Sequence, residues 1–342
     1  MRGHAAGRPA LAALLALVDR LDRAKVAVAG DAVLDVFEYG VIARVSREAP
    51  VLILEHRHSS FVPGGAANTA ANLAAIDVAT ALVGRIGDDD DGARLASILG
   101  ARGIDVRGLV RQRGYVTPTK TRILAGSPHT AKQQIVRMDR GRRGVPLTEA
   151  VRGRLLAAAG RERKAGAALV LADYGYGTVD PGWPGELPRG TGVLMLDSRF
   201  ALEQFRGVSA ATPNLEEVER AAGIDLDDDD EAGIEAAARR MRRTLRAEAL
   251  LVTRGSRGMT LVADRGRTAR IPVFGSDEIA DVTGAGDTVI AVFSAARAAG
   301  GSWREAAELA NVAGGLVVMK RGTATVSRDE LRAALREGWD AA

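Results

Sequence analysis

The feature that most constrains the fold of this chain is an alternation of short β-branched segments with longer helical ones. Five apolar runs are typical of buried strands, and they lie at 26–30, 79–84, 168–173, 192–197 and 249–255. Stretches rich in Ala, Leu and Arg with helical period separate several of them. The alternation predicts the α/β class, with a parallel sheet covered by helices. Because ligands bind beyond the carboxyl ends of such strands, the Asp, Gly and Thr residues there are candidate site residues.

Two stretches interrupt this pattern. Residues 36–62 and 105–138 show strand-like alternation without a long helix, which predicts a small β-sheet inserted beside the main domain of residues 25–342. Such a sheet could be a lid over the substrate or a dimer surface, and the expected assembly is a homodimer. The apolar run at 10–18 is too short to span a bilayer, so it predicts a helix within residues 1–24, with a secretory signal as the alternative.

Composition narrows the function. The chain has no cysteine, which excludes disulfides, thiolate metal sites and cysteine nucleophiles and suits a reducing cytoplasm. Its 47 Lys and Arg residues against 43 Asp and Glu leave a formal net charge of only +4, and 4% of residues are aromatic. Nucleic-acid binding, which uses concentrated positive charge with interleaved aromatic residues, is therefore not favoured, and neither is a membrane role. A small anionic substrate fits this composition better.

The strongest chemical signal is the segment Thr-Gly-Ala-Gly-Asp at 283–287, followed by an apolar helical run. Small residues at a helix start leave backbone N–H groups free at the positive end of the helix dipole. This suits the oxygens of a transferring phosphoryl group, and Asp287 could accept the proton of an attacking hydroxyl. The segment alone equally allows an ordinary glycine-rich loop. No P-loop and no protein-kinase loop occurs, so a kinase would need another architecture.

Further segments carry a resemblance to a known family. PGGAANTAANLA at 63–74 and GRIGDDDDGARLASILGARGID at 84–105 resemble the first signature of ribokinase-like (PfkB-type) sugar kinases, and DVTGAGD at 281–287 resembles their second. The similarity runs from about Ala24 to about Arg328. Within the family the chain resembles the bacterial D-glycero-β-D-manno-heptose 7-phosphate kinases, through GDAVLD at 30–35, ARVSREAPV at 43–51, TKTRIL at 119–124, QQIVRMD at 133–139, TPNLEEVE at 212–219, LLVTRGSRGM at 250–259 and RGTATVS at 321–327.

This resemblance implies a ribokinase-like fold, with helices on both faces of the sheet. It implies transfer of phosphate from ATP to the C1 hydroxyl of the heptose 7-phosphate, giving the 1,7-bisphosphate on the route to ADP-heptose and lipopolysaccharide. Mg²⁺ is an implied cofactor and K⁺ a candidate one. A nucleotidyltransferase domain follows the kinase in many relatives, so a chain ending at Ala342 resembles the stand-alone form. A kinase for another sugar or sugar phosphate, and a non-catalytic nucleotide or sugar sensor, stay open as alternatives.

Site residues are carried over from the same resemblance. Asp287 is the expected general base, and the backbone of Gly284, Ala285 and Gly286 the expected anion hole. The residues expected on the substrate side are Asp31, Gly64, Gly65, Asn68 and Asp173. The residues expected to bind the nucleotide and its phosphates are Asn214, Glu217, Thr253, Gly255, Gly258 and Asn311, of which Glu217 would hold Mg²⁺ through water. The candidate monovalent-cation ligands are Asp281, Thr283 and Ser327.

The phosphate already present on the substrate needs cations of its own. Lys120, Arg122 and Arg137 lie in the predicted lid and are the expected clamp, with a solvated basic strand face as the alternative. The chain departs from the heptose kinases at 173–177 and 197–199, where those enzymes carry lysines. We expect Arg199 or Arg254 to supply the positive charge there.

Overall fold

A computed structural model describes residues 8–126, 132–263, 267–275, 281–320 and 322–339. Its strands are, in chain order, β1 (Lys25–Gly30), β2 (Ala32–Val45), β3 (Leu52–Gly65), β4 (Ala79–Gly87), β5 (Asp105–Gln112), β6 (Thr119–Gly126), β7 (Gln133–Arg140), β8 (Ala168–Asp173), β9 (Leu194–Ser198), β10 (Ala210–Ala211), β11 (Ala249–Thr253), β12 (Met259–Ala263) and β13 (Arg267–Ile271).

The α-helices of the described ranges alternate with these strands. They are α1 (Leu11–Asp19), α2 (Ala66–Ala75), α3 (Asp90–Ala101), α4 (Glu149–Lys164), α5 (Trp183–Glu186), α6 (Leu215–Ala222), α7 (Glu231–Leu245), α8 (Ala285–Ala298), α9 (Trp303–Val318) and α10 (Arg328–Gly338). Several begin at a residue whose side chain accepts a first-turn N–H, such as Asp89 before α3, Thr148 before α4 and Ser302 before α9. None of the described helices is long and apolar enough to cross a membrane.

The large sheet contains nine strands in the order β13-β12-β11-β10-β9-β8-β1-β4-β5. The strands from β11 to β5 are parallel, and β12 and β13 are antiparallel at one edge. Val26 and Val28 of β1 pack in one apolar core, while Ala27 and Ala29 pack in a second core on the opposite face. Such a strand is apolar at every position because helices cover both faces. The predicted α/β class is confirmed, and the five predicted strands coincide with β1, β4, β8, β9 and β11.

A second sheet of four strands, in the order β3-β2-β6-β7, projects from the carboxyl ends of β1 and the strands near it. Strand β2 follows β1 after a single residue, and β3 leads directly into α2. The predicted insertion at 105–138 begins too early, because β5 pairs with β4 at the edge of the large sheet. An edge strand is half exposed, so its alternation resembles that of a lid strand. The role of the small sheet as a lid or a dimer surface stays a prediction.

Candidate active site

Asp287 lies in the first turn of α8, where the small sheet meets the large one. The helix is preceded by Gly284, whose φ of 80° is in the left-handed region that favours glycine. A Cβ atom on Gly284 would stand 2.6 Å from the Nδ2 atom of Asn68. Glycine at this position therefore allows α2 and α8 to approach closely. The helix start also leaves the N–H groups of Gly286 and Asp287 without an acceptor inside the helix.

Three side chains hold the carboxylate of Asp287. Asn68 donates from Nδ2 to Oδ2 over 2.6 Å, and Thr69 donates from its hydroxyl to Oδ1 over 3.4 Å. The phenol of Tyr174 also donates to Oδ1. Burial raises the pKa of Asp287 from 3.8 to about 6, the bonds from Tyr174 and Asn68 act in the opposite direction, and the charge of Asp35 raises the pKa again. The group is thus a carboxylate at neutral pH that can still take up a proton.

A second layer of polar groups orients Asn68. Asn72, one helical turn further along α2, donates from Nδ2 to the Oδ1 atom of Asn68 over 3.2 Å. Thr288 donates from its hydroxyl to the Oδ1 atom of Asn72 over 2.9 Å. All three side chains are buried, so the chain of bonds aims the amide N–H of Asn68 at Asp287. Sequence analysis missed Asn72 and Thr288, although the Asn-x-x-x-Asn spacing on one helix face indicates such a pair.

Tyr174 joins Asp287 to a further acid that sequence analysis also missed. Its hydroxyl lies 3.1 Å from the Oδ2 atom of Asp197, at the end of β9. Burial raises the pKa of Asp197 well above its usual value, and the charges of Asp287 and Glu217 raise it further. The phenol therefore stands between two carboxyl groups that compete for protons.

Asp31, predicted to be a sugar ligand, accepts hydrogen bonds from the backbone in this structure, and its sugar role stays a prediction. The side chain is 0% exposed, and its oxygens accept the backbone N–H groups of Tyr174, Tyr176 and Thr178, each over 2.9 Å. These bonds occupy both oxygens and hold the loop that follows β8. Asp35, four residues further on, is a carboxylate whose charge acts on Asp287. Sequence analysis placed Asp35 in a motif without giving it a role.

The other residues predicted on the substrate side lie around this point. A Cβ atom on Gly64 would stand 2.6 Å from the Oδ2 atom of Asp35, and Gly65, with a φ of 56°, makes the turn into α2. Asp173 lies at the end of β8, where its carboxylate accepts the Ser198 hydroxyl over 2.8 Å and the Gly175 N–H over 2.9 Å. Burial raises the pKa of Asp173. Its oxygens thus stabilise the same loop as Asp31, and the sugar contacts of all three residues stay predictions.

Four of the six residues predicted to bind the nucleotide and its phosphates line one cavity of about 170 Å³, and Asn214 and Glu217 lie outside it. Thr253, Gly255, Gly258 and Asn311 share its wall with Ala285 and Gly286 of the predicted anion hole, and the other lining residues are Ser256, Met259, Val273, Phe274, Val282, Val289, Gly314, Gly315 and Val318. A mostly apolar cavity that ends at the N-terminus of α8 fits a flat base at one end and phosphate oxygens at the other. A Cβ atom on Gly286 would meet nothing within 4 Å, so this residue faces open space.

Asn214 and Glu217 cap helix α6. Asn214 Oδ1 accepts the Glu217 N–H over 2.8 Å, and Glu217 Oε2 accepts the Asn214 N–H over 2.9 Å. Burial raises the pKa of Glu217. Among the described residues no group of three or more His, Asp or Glu side chains is arranged to hold a metal ion. A Mg²⁺ ion fits here only with ligands drawn largely from nucleotide phosphates and water, which is the coordination that Mg²⁺ favours.

The candidate monovalent-cation ligands are only partly brought together. Asp281 accepts the N–H of Thr283 over 2.9 Å and that of Gly322 over 3.0 Å, and its pKa is lowered by these bonds in spite of its burial. Ser327 instead caps helix α10, where its hydroxyl oxygen accepts the Glu330 N–H over 3.2 Å. The cation role of these residues stays a prediction, as does the role of the motif at 321–327, whose first residue lies outside the described ranges.

The predicted basic clamp is divided by its ion pairs. Arg122 binds Asp35 over 2.7 Å, and Arg137 binds Asp139 over 2.8 Å, whereas Lys120 has no carboxylate partner among the described residues. Arg254, one of the two arginines expected to replace a lysine, pairs with Glu231 over 2.8 Å and is nearly buried. Arg254 therefore stabilises α7, and Arg199 is the remaining candidate to replace the positive charge of the lysines found in the heptose kinases.

Comparison with known proteins is consistent with this geometry. Residues 23–151 and 196–330 match the pfkB family carbohydrate kinase. The chain is 42% identical over 317 residues to the bifunctional protein HldE of Halorhodospira halophila, covering 92% of this chain and 64% of that protein. It is 38% identical over 330 residues to the HldE of Paramagnetospirillum magneticum, covering 95% and 66%. The chain thus spans about two thirds of the length of these curated relatives.

Solved structures with the same fold are more distant in sequence. A ribokinase from Arabidopsis thaliana, complexed with ribose and ATP, has a TM-score of 0.70 and 19% identity, covering 92% of this chain and 99% of that one. Phosphofructokinase-2 from Escherichia coli, in complex with potassium, has a TM-score of 0.74 and 17% identity, covering 92% and 98%. These similarities confirm the predicted ribokinase-like fold.

Proposed function

This chain belongs to the pfkB family of carbohydrate kinases and is a sugar kinase, and from that premise we propose that it phosphorylates D-glycero-β-D-manno-heptose 7-phosphate at the C1 hydroxyl, using ATP. The observation that carries the proposal is the position of Asp287. Its buried carboxylate is held by Asn68 and Tyr174 at the start of α8, and the adjacent Gly286 opens into the apolar cavity. A base and an anion hole then lie at the junction of the sugar and nucleotide sites.

In the proposed reaction, Asp287 accepts the proton of the C1 hydroxyl as that oxygen attacks the phosphoryl group. Asn68, held by Asn72, keeps the carboxylate oriented toward the acceptor. The N–H groups of Gly286 and Asp287 stabilise the negative charge on the transferring group, which is largest in the transition state. When bound, Mg·ATP supplies that phosphoryl group. Glu217 would hold the Mg²⁺ ion through water.

The choice of acceptor rests on two further observations. The relatives named HldE are 36% to 42% identical over at least 91% of the chain. The small sheet also carries Lys120, Arg122 and Arg137, of which Arg122 and Arg137 are paired with carboxylates, whereas Lys120, opposite Asp35 in the strand register, has no such partner among the described residues. An acceptor that already carries a phosphate fits this basic sheet. The product, the 1,7-bisphosphate, would enter ADP-heptose and lipopolysaccharide synthesis.

A sugar panel tests the proposal. The purified chain is given Mg·ATP with ribose, fructose 6-phosphate, the unphosphorylated heptose and the heptose 7-phosphate, and ³¹P NMR follows formation of an anomeric phosphate. We expect the heptose 7-phosphate to have the highest kcat/KM by at least about tenfold, which corresponds to about 1.4 kcal/mol. If another sugar is phosphorylated and the heptose 7-phosphate is not, the proposed acceptor is wrong and that sugar takes its place. Absence of transfer to every sugar, with retained nucleotide binding, would favour a sensor.

A further inference from the structure

The basic residues on β6 and β7 and just after β7 and β9 fall into two groups. Arg122 and Arg137 are each bound to a carboxylate of the small sheet, Asp35 and Asp139. Such pairs leave little net charge for a ligand. They also neutralise two acids that would otherwise repel an anionic substrate, so their contribution is to permit binding of a phosphate more than to supply its contacts.

Lys120, Arg143 and Arg199 form the second group, because none of them has a carboxylate within ion-pair distance among the residues that the structure describes. Arg143, from the loop after β7, stands over the ring of Phe200 at 4.8 Å and over that of Tyr176 at 5.8 Å. Arg199, at the end of β9, lies 6.0 Å from the same Phe200 ring. Two guanidinium groups from distant segments therefore flank one aromatic side chain.

Lys120 is linked electrostatically to Arg199. Burial lowers the pKa of Lys120, and the positive charge of Arg199 lowers it further, while Asp35 and Asp139 act in the opposite direction. The charge of Asp139 also acts on Tyr176, whose ring lies beneath Arg143. Lys120 on β6 thus interacts electrostatically with Arg199, and Asp139 acts both on Lys120 and on the tyrosine ring beneath Arg143. Repulsion between Lys120 and Arg199 is relieved when a dianion binds between them.

Phe200 is 44% exposed and packs on the protein through one side of its ring. Its ring packs on Gly175, where an added Cβ atom would stand 2.9 Å from the ring. Contact with this ring restricts both guanidinium groups, which lowers the entropy cost of ordering them around a ligand. Arginine is suited to the task because its planar fork matches two phosphate oxygens at once.

We propose that Lys120, Arg143 and Arg199 bind the phosphate that the acceptor sugar already carries. The inference rests on the proposed function only in requiring a phosphorylated acceptor. Arg143 and Arg199 are then specificity residues from outside the lid strands. The charge of Arg199 also lowers the pKa of Glu217, a residue predicted on the nucleotide side. A phosphate of ATP is therefore the other phosphate that these cations could bind.

The test compares Arg143→Gln and Arg199→Gln with the matched control Arg142→Gln, which removes the same charge from the neighbouring exposed position. Steady-state kinetics are measured with a phosphorylated acceptor used by the wild type and with ATP. Titration of the same sugar phosphate without nucleotide gives its Kd. Loss of one charge-assisted hydrogen bond predicts a fall of about 10- to 100-fold in kcat/KM and a matching rise in Kd for the sugar phosphate. KM for ATP and the Arg142→Gln constants should stay within about twofold.

Three outcomes would overturn the assignment. An increase in KM for ATP with unchanged Kd for the sugar phosphate would assign these arginines to the nucleotide. An equal effect of Arg142→Gln would indicate general charge attraction. Equal losses for phosphorylated and unphosphorylated forms of one sugar would show that the cluster does not read the phosphate. If the wild type prefers a phosphorylated sugar other than the heptose, the heptose assignment fails while the clamp can still be tested on that sugar.

Discussion

The side-chain amide of Asn68 donates a hydrogen bond of 2.6 Å to the Oδ2 atom of Asp287, joining α2 to α8 across 219 positions of the chain. This contact lowers the pKa of the carboxylate that burial raises. Gly284 permits it, because any larger residue there would meet the amide. The pKa of the proposed base therefore depends on a tertiary contact as well as on burial.

Replacement of the base itself is the first prediction. Asp287→Asn should reduce kcat by about 10²- to 10⁴-fold, because no carboxylate is then present to take the proton of the sugar hydroxyl. Burial raises the folded-state pKa above 3.8, so the ionised group costs stability as the pH rises from about 4 to about 6 and at every higher pH. The neutral amide removes that cost, and the variant should unfold no earlier than wild type at pH 8. Thermal unfolding and kinetics test this together. An unchanged kcat would refute the role of Asp287.

The pH profile follows from the same group. Because the base acts as a carboxylate, kcat/KM should fall as the pH drops below about 6. The Asn68 bond stabilises the charged form, so Asn68→Ala should raise the pKa and move the acidic limb to higher pH, by about one unit. The pH–rate profiles of wild type and variant provide the test. A limb that moves to lower pH would mean that Asn68 does not tune the base.

Thr288 offers a subtler test, because it acts through Asn72 and Asn68. Thr288→Val removes the hydroxyl that holds the Asn72 amide, with little change in volume. We expect a loss of about 1–3 kcal/mol of unfolding free energy, a reduced kcat and a shifted acidic limb. Thr288→Ser keeps the donor and is the matched control. If Thr288→Val lost stability but kept the wild-type pH profile, the role of Thr288 would be structural alone.

The two glycines of the helix start should respond differently to alanine. Gly284→Ala forces a residue with Cβ into the left-handed region and against Asn68, so we expect about 1–2 kcal/mol of destabilisation with reduced kcat. Gly286→Ala meets no neighbouring atom but narrows the cavity, so KM for ATP should rise while stability holds. Urea unfolding and kinetics separate the two. Equal effects on KM for ATP would contradict the assignment of the cavity to the nucleotide.

Asp31 and Asp35 form a matched pair of acids with opposite expectations. Asp31→Ala leaves three backbone N–H groups without their acceptor, two of them in buried hydrogen bonds, and should cost about 3–5 kcal/mol of unfolding free energy. Asp35→Asn leaves those bonds intact and should raise KM for the sugar, with a smaller loss of stability from the broken pair with Arg122. Chemical denaturation and acceptor KM are the measurements. If Asp31→Ala raised the KM for the sugar and Asp35→Asn did not, the sugar contact would be assigned to Asp31.

Much of the fold could be predicted because it depends on local patterns. The apolar runs of β1 and β8 are continuous where helices cover both faces, and the sequence shows this directly. The sequence pattern places β5 in the predicted insertion, because polar and apolar residues alternate along an edge strand as they do along a lid strand. Its partner strand, β4, is set by pairing between distant segments, and a local sequence pattern carries no information about that pairing.

The chain by itself determined an α/β fold with a glycine-rich helix start at 283–287, because period and small residues act over a few positions. Only the tertiary structure decided which polar groups are already satisfied. It engaged Asp31 with backbone N–H groups, paired Arg122 with Asp35, and brought Arg143 beside Phe200. The physical reason is that a charge is available to a ligand only when no nearer partner holds it, and those partners come from segments far apart in the sequence.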